Sequence, residues 1–195
     1  MMRAIGIKKI HTGKWISYYE ISYENEEGKA KTYEIVSKKG THRNPEELTL
    51  SNLGKDYIAV AMVAFNEDMS KLLLSKEFRM GVSQYIYNFP AGLKESNETL
   101  FEAATRELKE ETGLDVIGTI YQLEPTFTCA PVTDDLVDFI IVKATGEIQD
   151  STNINEEIHS KWYSKQEIRS LIEDKSIKFA SRTQAFCYLW ANSKM

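Results

Sequence analysis

Apolar positions near the start of the chain recur with a period of two. WISYYEISY alternates aromatic or aliphatic residues with others, NEEG is a turn, and KTYEIVS returns, so the first fifty residues read as antiparallel strands. From Gly40 to Lys55 the chain becomes polar and turn-prone, GTHRNPEELTLSNLGK, which marks a boundary between an N-terminal region, 1–50, and a second region, 51–195. YIAVAMVAF and KLLLSKEF follow, separated by NEDMS. They read as a strand pair whose first member is buried on both faces. QYIYNF is a further strand, ended by Pro90-Ala91-Gly92. The period then changes to that of a helix over Asn97 to Thr112. Leu100, Ala104 and Leu108 form its apolar stripe, Thr99 with Glu102 its capping box, and Gly113 its C-terminal cap. Strands are predicted at Val116 to Gln122, Val137 to Lys143 and Lys161 to Tyr163. Two helices follow, one capped by Ser164 and Glu167, the other by Ser181 and Gln184 with Phe186, Leu189 and Trp190 inward. Interspersed strands and helices predict an α/β (α+β) fold, a mixed sheet covered by helices.

Composition adds limits. The 195 residues carry 24 basic and 29 acidic side chains, a net charge of −5, which gives no general attraction to nucleic acid or to acidic membranes. A phosphate-rich ligand must therefore meet local positive charge or bound cations. The longest apolar run, Tyr57 to Phe65, is too short to span a bilayer, and MMRAIGIKKIHTGKW lacks an apolar stretch of signal-peptide length. Cys129 and Cys187 form no CxxC pair, so a cytoplasmic protein is expected. Cys129 reads as a small buried residue and Trp162 and Trp190 as core, while His11, His42 and His159 show no ligand spacing.

The acidic face of the predicted helix is where chemistry is expected. Glu107 and Glu111 are four apart and Glu110 lies three beyond Glu107, so all three crowd one face. Like charges at that spacing oppose a helix by roughly 0.2–0.5 kcal/mol per pair. A divalent cation reverses that sign, because carboxylate oxygens are the donors that Mg2+ prefers. Arg106 can reach Glu102 and Glu110 at i±4 and hold the carboxylates in place. Gly92 can let the backbone bend close to the metal. A solvated acidic face explains the glutamates alone, but not the spacing of Gly92, Glu98, Arg106, Gly113 and Leu114 around them.

Gly92 to Leu114 resembles the Nudix box, G-x5-E-x7-R-E-U-x-E-E-x-G-U with U aliphatic, at every specified position. The resemblance implies the Nudix α/β/α sandwich with a mixed sheet, here with an N-terminal antiparallel extension. It also implies a hydrolase that cleaves a nucleoside diphosphate with Mg2+, or with Mn2+ in its place. Glu107, Glu110, Glu111 and the Ala91 carbonyl would then be metal ligands, Glu98 a further acidic member, and Arg106 part of the catalytic set.

The flanks resemble the ADP-ribose pyrophosphatase branch. EFRMGVSQYIYNFPAG is similar to that branch's usual run, Q-Y-R-x-x-V-x5-E-L-P-A-G. Arg79 matches its phosphate-contacting arginine, and Asn88 stands where it has Glu. GKWISYYEISYENEEGKAKTYEIVSKK resembles the branch's extension, in which aromatics from the two subunits of a homodimer clamp adenine. Trp15 and Tyr33 match those aromatics, and Lys38 stands where an arginine is common. TFTCAPVTDD aligns with the branch's Ser-Pro-Gly loop, with Pro131 at the proline, Val132 in place of Gly and Asp135 in place of Glu. By the same resemblance Glu156 or Glu157, after the loop from Ala144, supplies the general base. The implied reaction splits ADP-ribose into AMP and ribose 5-phosphate. ADP-glucose, GDP-mannose or another nucleotide sugar is the alternative substrate, and a sensor that binds ADP-ribose without cleaving it is the reading from another class.

Overall fold

The computed structural model describes every residue except Asp56, Ser96, Thr152, Ile154, Asn155 and Met195, and the side chains of Tyr57 and Ile58 are likewise left aside. Of the predicted features, one spacer position of the box and three positions of the loop before Glu157 thus lie outside the described residues. In chain order the elements are β1 (Arg3–His11), β2 (Ser17–Glu24), β3 (Ala30–Ser37), β4 (Tyr57–Phe65), β5 (Lys71–Arg79), β6 (Gln84–Asn88), β7 (Ala91–Leu93), α1 (Leu100–Thr112), β8 (Asp115–Phe127), β9 (Leu136–Thr145), β10 (Ile158–Ser164), α2 (Lys165–Glu173) and α3 (Ser181–Asn192). They divide into two compact units, Met1–Ile58 with Pro125–Val137, and Ala59–Glu124 with Asp138–Met195.

In the first unit β1, β2 and β3 form an antiparallel sheet in that order. The β2–β3 turn is the predicted NEEG. Asn25 Oδ1 accepts from the amides of Glu27 and Lys29, and Gly28 takes the left-handed φ of 73° that the turn requires. Tyr19, Ile21, Ile35 and Leu48 make a small core on this sheet. Cys129 is exposed, which corrects the buried position expected for it. It lies in a run of turns where the amides of Val132 and Thr133 both bond its carbonyl, so its side chain has no core to enter.

The second unit is built on a mixed sheet of order β10-β5-β4-β9-β8, with β6 added to β5 and β7 to β4. β4 and β5 pair at Phe65 and Leu72. Further along, the same edge of β5 is taken by β6, from Ser75↔Asn88 to Arg79↔Gln84, and that of β4 by β7, Ala59↔Leu93 to Ala61↔Ala91. The two strands splay apart, and the chain around Pro90 fills the wedge. β4 is buried without a break from Val60 to Phe65, because its alternate residues meet different helices. Val60, Met62 and Ala64 pack with Leu100, Ala103, Ala104 and Leu108 of α1. Phe65 meets Phe186 and Trp190 of α3, ring centroids 6.4 and 5.5 Å away.

Helix starts follow the sequence twice and depart from it once. The Thr99–Glu102 and Ser164–Glu167 capping boxes are both formed. The Ser181–Gln184 box is not: α3 begins after Ala180, which offers no capping side chain. The parallel bridge Tyr87↔Phe179 and the Ala180 amide on the Tyr87 carbonyl, 2.9 Å, hold the chain extended up to that residue. Ser181 is thereby pushed into the first turn. The buried face of α3 is Thr183, Cys187, Trp190 and Ala191, and Leu189 points outward at 69% exposure, against its expected inward position. Trp162 is half-buried against the α1 core.

Candidate active site

α1 brings the box carboxylates to the wedge. Its buried face comprises Leu100, Ala103, Ala104, Leu108, Thr112 and, among them, Glu111. The helix ends on Gly113 with φ 74°, whose amide bonds the Lys109 carbonyl. The Ala91 amide of β7 donates to Glu111 Oε2 at 3.2 Å. Gly92, the next residue, lies against Glu107 so closely that a Cβ there would stand 1.9 Å from the Glu107 carboxyl carbon. Any side chain at this position would have to displace the Glu107 carboxylate. Glu110 is more exposed and reaches Arg106 Nη1 at 3.4 Å.

Arg106 does not meet Glu102, which is occupied with the Thr99 cap. Its partner is Glu98, held bidentately through Nε at 2.6 Å and Nη2 at 2.8 Å. Nη2 also donates to the Leu93 carbonyl and Nη1 to Glu107 Oε1. The Arg106 guanidinium, aided by the Glu95 amide, lowers the Glu98 carboxyl to about 2. Burial pushes Glu111 the other way, to about 8, with the charges of Glu107 and Glu77 adding to it. Glu107 is raised chiefly by burial, against the pull of Arg106.

Among the described residues no three carboxylates already converge on a cation-sized point. The donor set nonetheless fits a hard divalent cation. It is all oxygen, it carries more negative charge than its cationic neighbours offset, and the two most buried acids are those driven toward their neutral forms.

A cleft of ≈ 340 Å³ opens beside Glu111, lined also by Glu77, Arg79, Ala91, Glu156 and Glu157. It collects, within one unit, several residues that the sequence singled out. Glu157 is engaged by the Tyr85 hydroxyl, and its carboxylate lies 3.8 Å from His159. Glu156 acts on the box instead: its charge helps raise both Glu107 and Glu111. Glu77 was not anticipated. It is a carboxylate inside an aliphatic strand, 8% exposed, and it accepts Arg79 Nε at 2.8 Å.

The other anticipated residues belong to the first unit. The Tyr33 hydroxyl donates to the Pro131 carbonyl, 2.8 Å, and Lys38 Nζ lies 3.4 Å from Asp135 Oδ2. Trp15 is 56% exposed, with the Arg43 guanidinium 3.9 Å above its ring. No ring contact joins Trp15 to Tyr33 among the described residues. Tyr33 and Phe127 help line a mostly apolar cleft of ≈ 360 Å³ that also includes Asp134, whose Oδ1 atom is buried without a hydrogen-bond partner among the described residues.

A family model for the NUDIX domain matches residues 55–183. Over 128 residues the chain is 31% identical to the ADP-ribose pyrophosphatase of Saccharomyces cerevisiae, covering 65% of this chain and 51% of that protein. Over 125 residues it is 32% identical to the ADP-sugar pyrophosphatase of Mus musculus, covering 63% and 51%. A third relative, the ADP-ribose pyrophosphatase of Bacillus subtilis, is 24% identical over 189 residues, 96% of this chain and 91% of that protein. The chain thus spans about half the length of the first two relatives. A crystal structure of an ADP compounds hydrolase superposes with a TM-score of 0.70 at 17% identity, over 100% of this chain and 97% of that one, a likeness of fold.

Proposed function

The chain belongs to the NUDIX domain family, and on that premise we propose that it hydrolyses the diphosphate of ADP-ribose to AMP and ribose 5-phosphate. The observation that carries this is the pairing of an intact acidic helix with an arginine-bearing cleft, Glu111 and Arg79 lining the same cavity. Nudix hydrolases generally use divalent cations. Glu107, Glu110, Glu111 and the Ala91 carbonyl would hold Mg2+ or Mn2+ here. A cation bound there would neutralise the diphosphate and increase the acidity of an attacking water.

The chain's own groups supply the rest. Arg106 fixes Glu107 and Glu110 from behind, and Arg79 offers a guanidinium to the phosphates. Glu156 takes the proton from water, because Tyr85 already occupies the Glu157 carboxylate. Trp15 and Tyr33 present flat rings for adenine, with Lys38, Pro131 and Asp135 contributing to substrate binding, in a cytoplasmic homodimer. A monomer by light scattering would undo a clamp shared between subunits. A second reading keeps the chemistry and changes the sugar, and it is favoured by the name of the mouse relative, an ADP-sugar pyrophosphatase.

The test is a panel of ADP-ribose, ADP-glucose and GDP-mannose with Mg2+, products separated by chromatography. AMP released from ADP-ribose well ahead of the others is the expected outcome. Preference for ADP-glucose would transfer the assignment to the second reading. No turnover of any diphosphate would refute both.

A further inference from the structure

Two positions flanking the box depart from the pattern of the branch in opposite senses. Glu77 stands where the run has Gln, and Asn88 stands where it has Glu. The two side chains touch: Asn88 Nδ2 donates to Glu77 Oε1 at 2.9 Å. We propose that Glu77 positions Arg79 for the diphosphate, and that Asn88 is its reciprocal partner, acid and amide having exchanged strands between β5 and β6. The proposal rests on the reading of this cleft as a diphosphate site.

The hydrogen bonds give the pair a fixed polarity. The Phe89 amide donates to Thr183 Oγ1 at 3.3 Å, so that hydroxyl turns its own proton to Asn88 Oδ1, 2.9 Å away. With its oxygen taken, Asn88 has only its NH2 to offer Glu77, and the amide cannot flip without losing both bonds. Glu77 is paired in the sheet on both sides, to Ile158 of β10 and to Ile86 of β6, and is buried there. A buried carboxylate so placed needs donors. Its Oε1 takes two, Asn88 Nδ2 and Arg79 Nε. A glutamate at 88 would offer no proton to Glu77 and would set two negative charges side by side. The pair therefore accommodates one acid and one amide.

The consequence falls on Arg79. Its Nε is committed to Glu77, which fixes the plane of a guanidinium that is half-exposed and lines the cleft with Ala91 and Glu111. Glu77 is the hydrogen-bond partner of that guanidinium among the described residues. An arginine held through Nε keeps its two terminal nitrogens for a bidentate grip on phosphate oxygens, which a lysine cannot make.

The test is a reciprocal exchange: E77Q, N88E and the double variant E77Q/N88E. Kinetics are measured on whichever panel substrate the wild-type chain cleaves fastest, so failure of ADP-ribose as substrate changes the substrate and leaves this test standing. Each single substitution is expected to raise KM by about tenfold, the order expected of a charged hydrogen bond, with kcat within about threefold of wild type. The double variant, acid and amide exchanged back, is expected to recover most of the KM. A double no better than the worse single variant overturns the exchange. A rise in the Mg2+ concentration needed for half-maximal rate, with KM unchanged, overturns the positioning role and assigns Glu77 to the cation. Melting temperatures that fall while KM holds would make the network a matter of packing alone and also refute it. If N88E does not fold, R79K and R79K/E77Q decide the issue: with the arginine Nε gone, E77Q is expected to raise KM no further.

Discussion

Glu98 and Glu111 belong to one motif and meet opposite surroundings. Glu98 sits in the loop before α1, gripped by Nε and Nη2 along one edge of the Arg106 guanidinium, and its carboxyl is lowered to about 2. Glu111 sits on the buried face of α1 with one amide for company, and its carboxyl is pushed up to about 8. An acid neutralised within the chain shapes the loop around it. An acid buried beside other acids destabilises the empty site, and the gain returns only when a cation arrives. The two should respond to pH with opposite signs. Glu98 contributes stability above its ordinary 4.5, lost as pH falls toward about 2. Glu111 favours the native state below 4.5, and that contribution is lost as pH rises toward about 8.

The sharpest break of this contrast is Glu111→Gln. Removing a cation ligand is expected to lower kcat by about a hundredfold or more. In EDTA the same variant should melt a few degrees higher than wild type near pH 8, because it no longer buries an uncompensated charge, and the gap should close toward pH 5. Wild-type turnover in this variant would remove Glu111 from the catalytic set. Gly92→Ala attacks the neighbouring carboxylate from the strand side. A methyl 1.9 Å from the Glu107 carboxyl carbon must displace it, and misplacing a catalytic group by about 1 Å costs on the order of a hundredfold in rate. The displaced group is the end of a flexible side chain, so melting should change by less than about 3 °C. A large loss of melting temperature with normal kcat/KM would show that Gly92 serves the fold instead. Glu98→Gln comes third, with activity lowered by about tenfold through the loosened Arg106 and Glu107. Its melting deficit should be widest near neutral pH and vanish by about pH 2. A deficit that grew on acidification would contradict the assigned charge state.

How much of this was legible in the sequence follows the range of the interactions. The Thr99–Glu102 and Ser164–Glu167 boxes close within three residues, so their letters suffice. Ser181 and Gln184 have similar letters, yet α3 starts without that cap, because the Tyr87–Phe179 bridge fixes the preceding residues. Arg106 was expected to reach Glu102 at i−4 and instead reaches Glu98, eight residues back, since Glu102 had a nearer partner in Thr99. Glu77 was missed for a related reason. The run KLLLSKEFR presents it as one of several charges near a strand end, and only pairing on both sides by β6 and β10 buries it. Its one local sign was a carboxylate two residues before a functional arginine, which a strand places on the same face.

The smallest effect tests whether a low carboxyl pKa has anything to do with catalysis. Glu167 matches Glu98 at about 2, but its causes are the Ser164 amide and hydroxyl of the α2 cap, with Lys161 beside it. It lies on a different helix from the box, and among the described residues no box residue is one of its hydrogen-bond partners. Glu167→Gln keeps an acceptor for the cap and loses the charge at the helix N-terminus together with the exposed Lys161 ion pair, a change of about 0.5–1 kcal/mol, or roughly 1–4 °C of melting temperature in a chain of this size. Like Glu98→Gln, that loss should be present above pH 4.5 and fade toward pH 2, because both acids hold their charge through local donors. Unlike Glu98→Gln, it should leave kcat, KM and the Mg2+ requirement unchanged. Matching acid limbs with divergent kinetics would separate the two roles: a carboxylate held by a cap supports its helix alone, whereas one held by Arg106 also sets the position of Glu107. Matching kinetic losses in both variants would mean that the tenfold effect at Glu98 reflects general stability, and the contrast between Glu98 and Glu111 would then rest on Glu111 only.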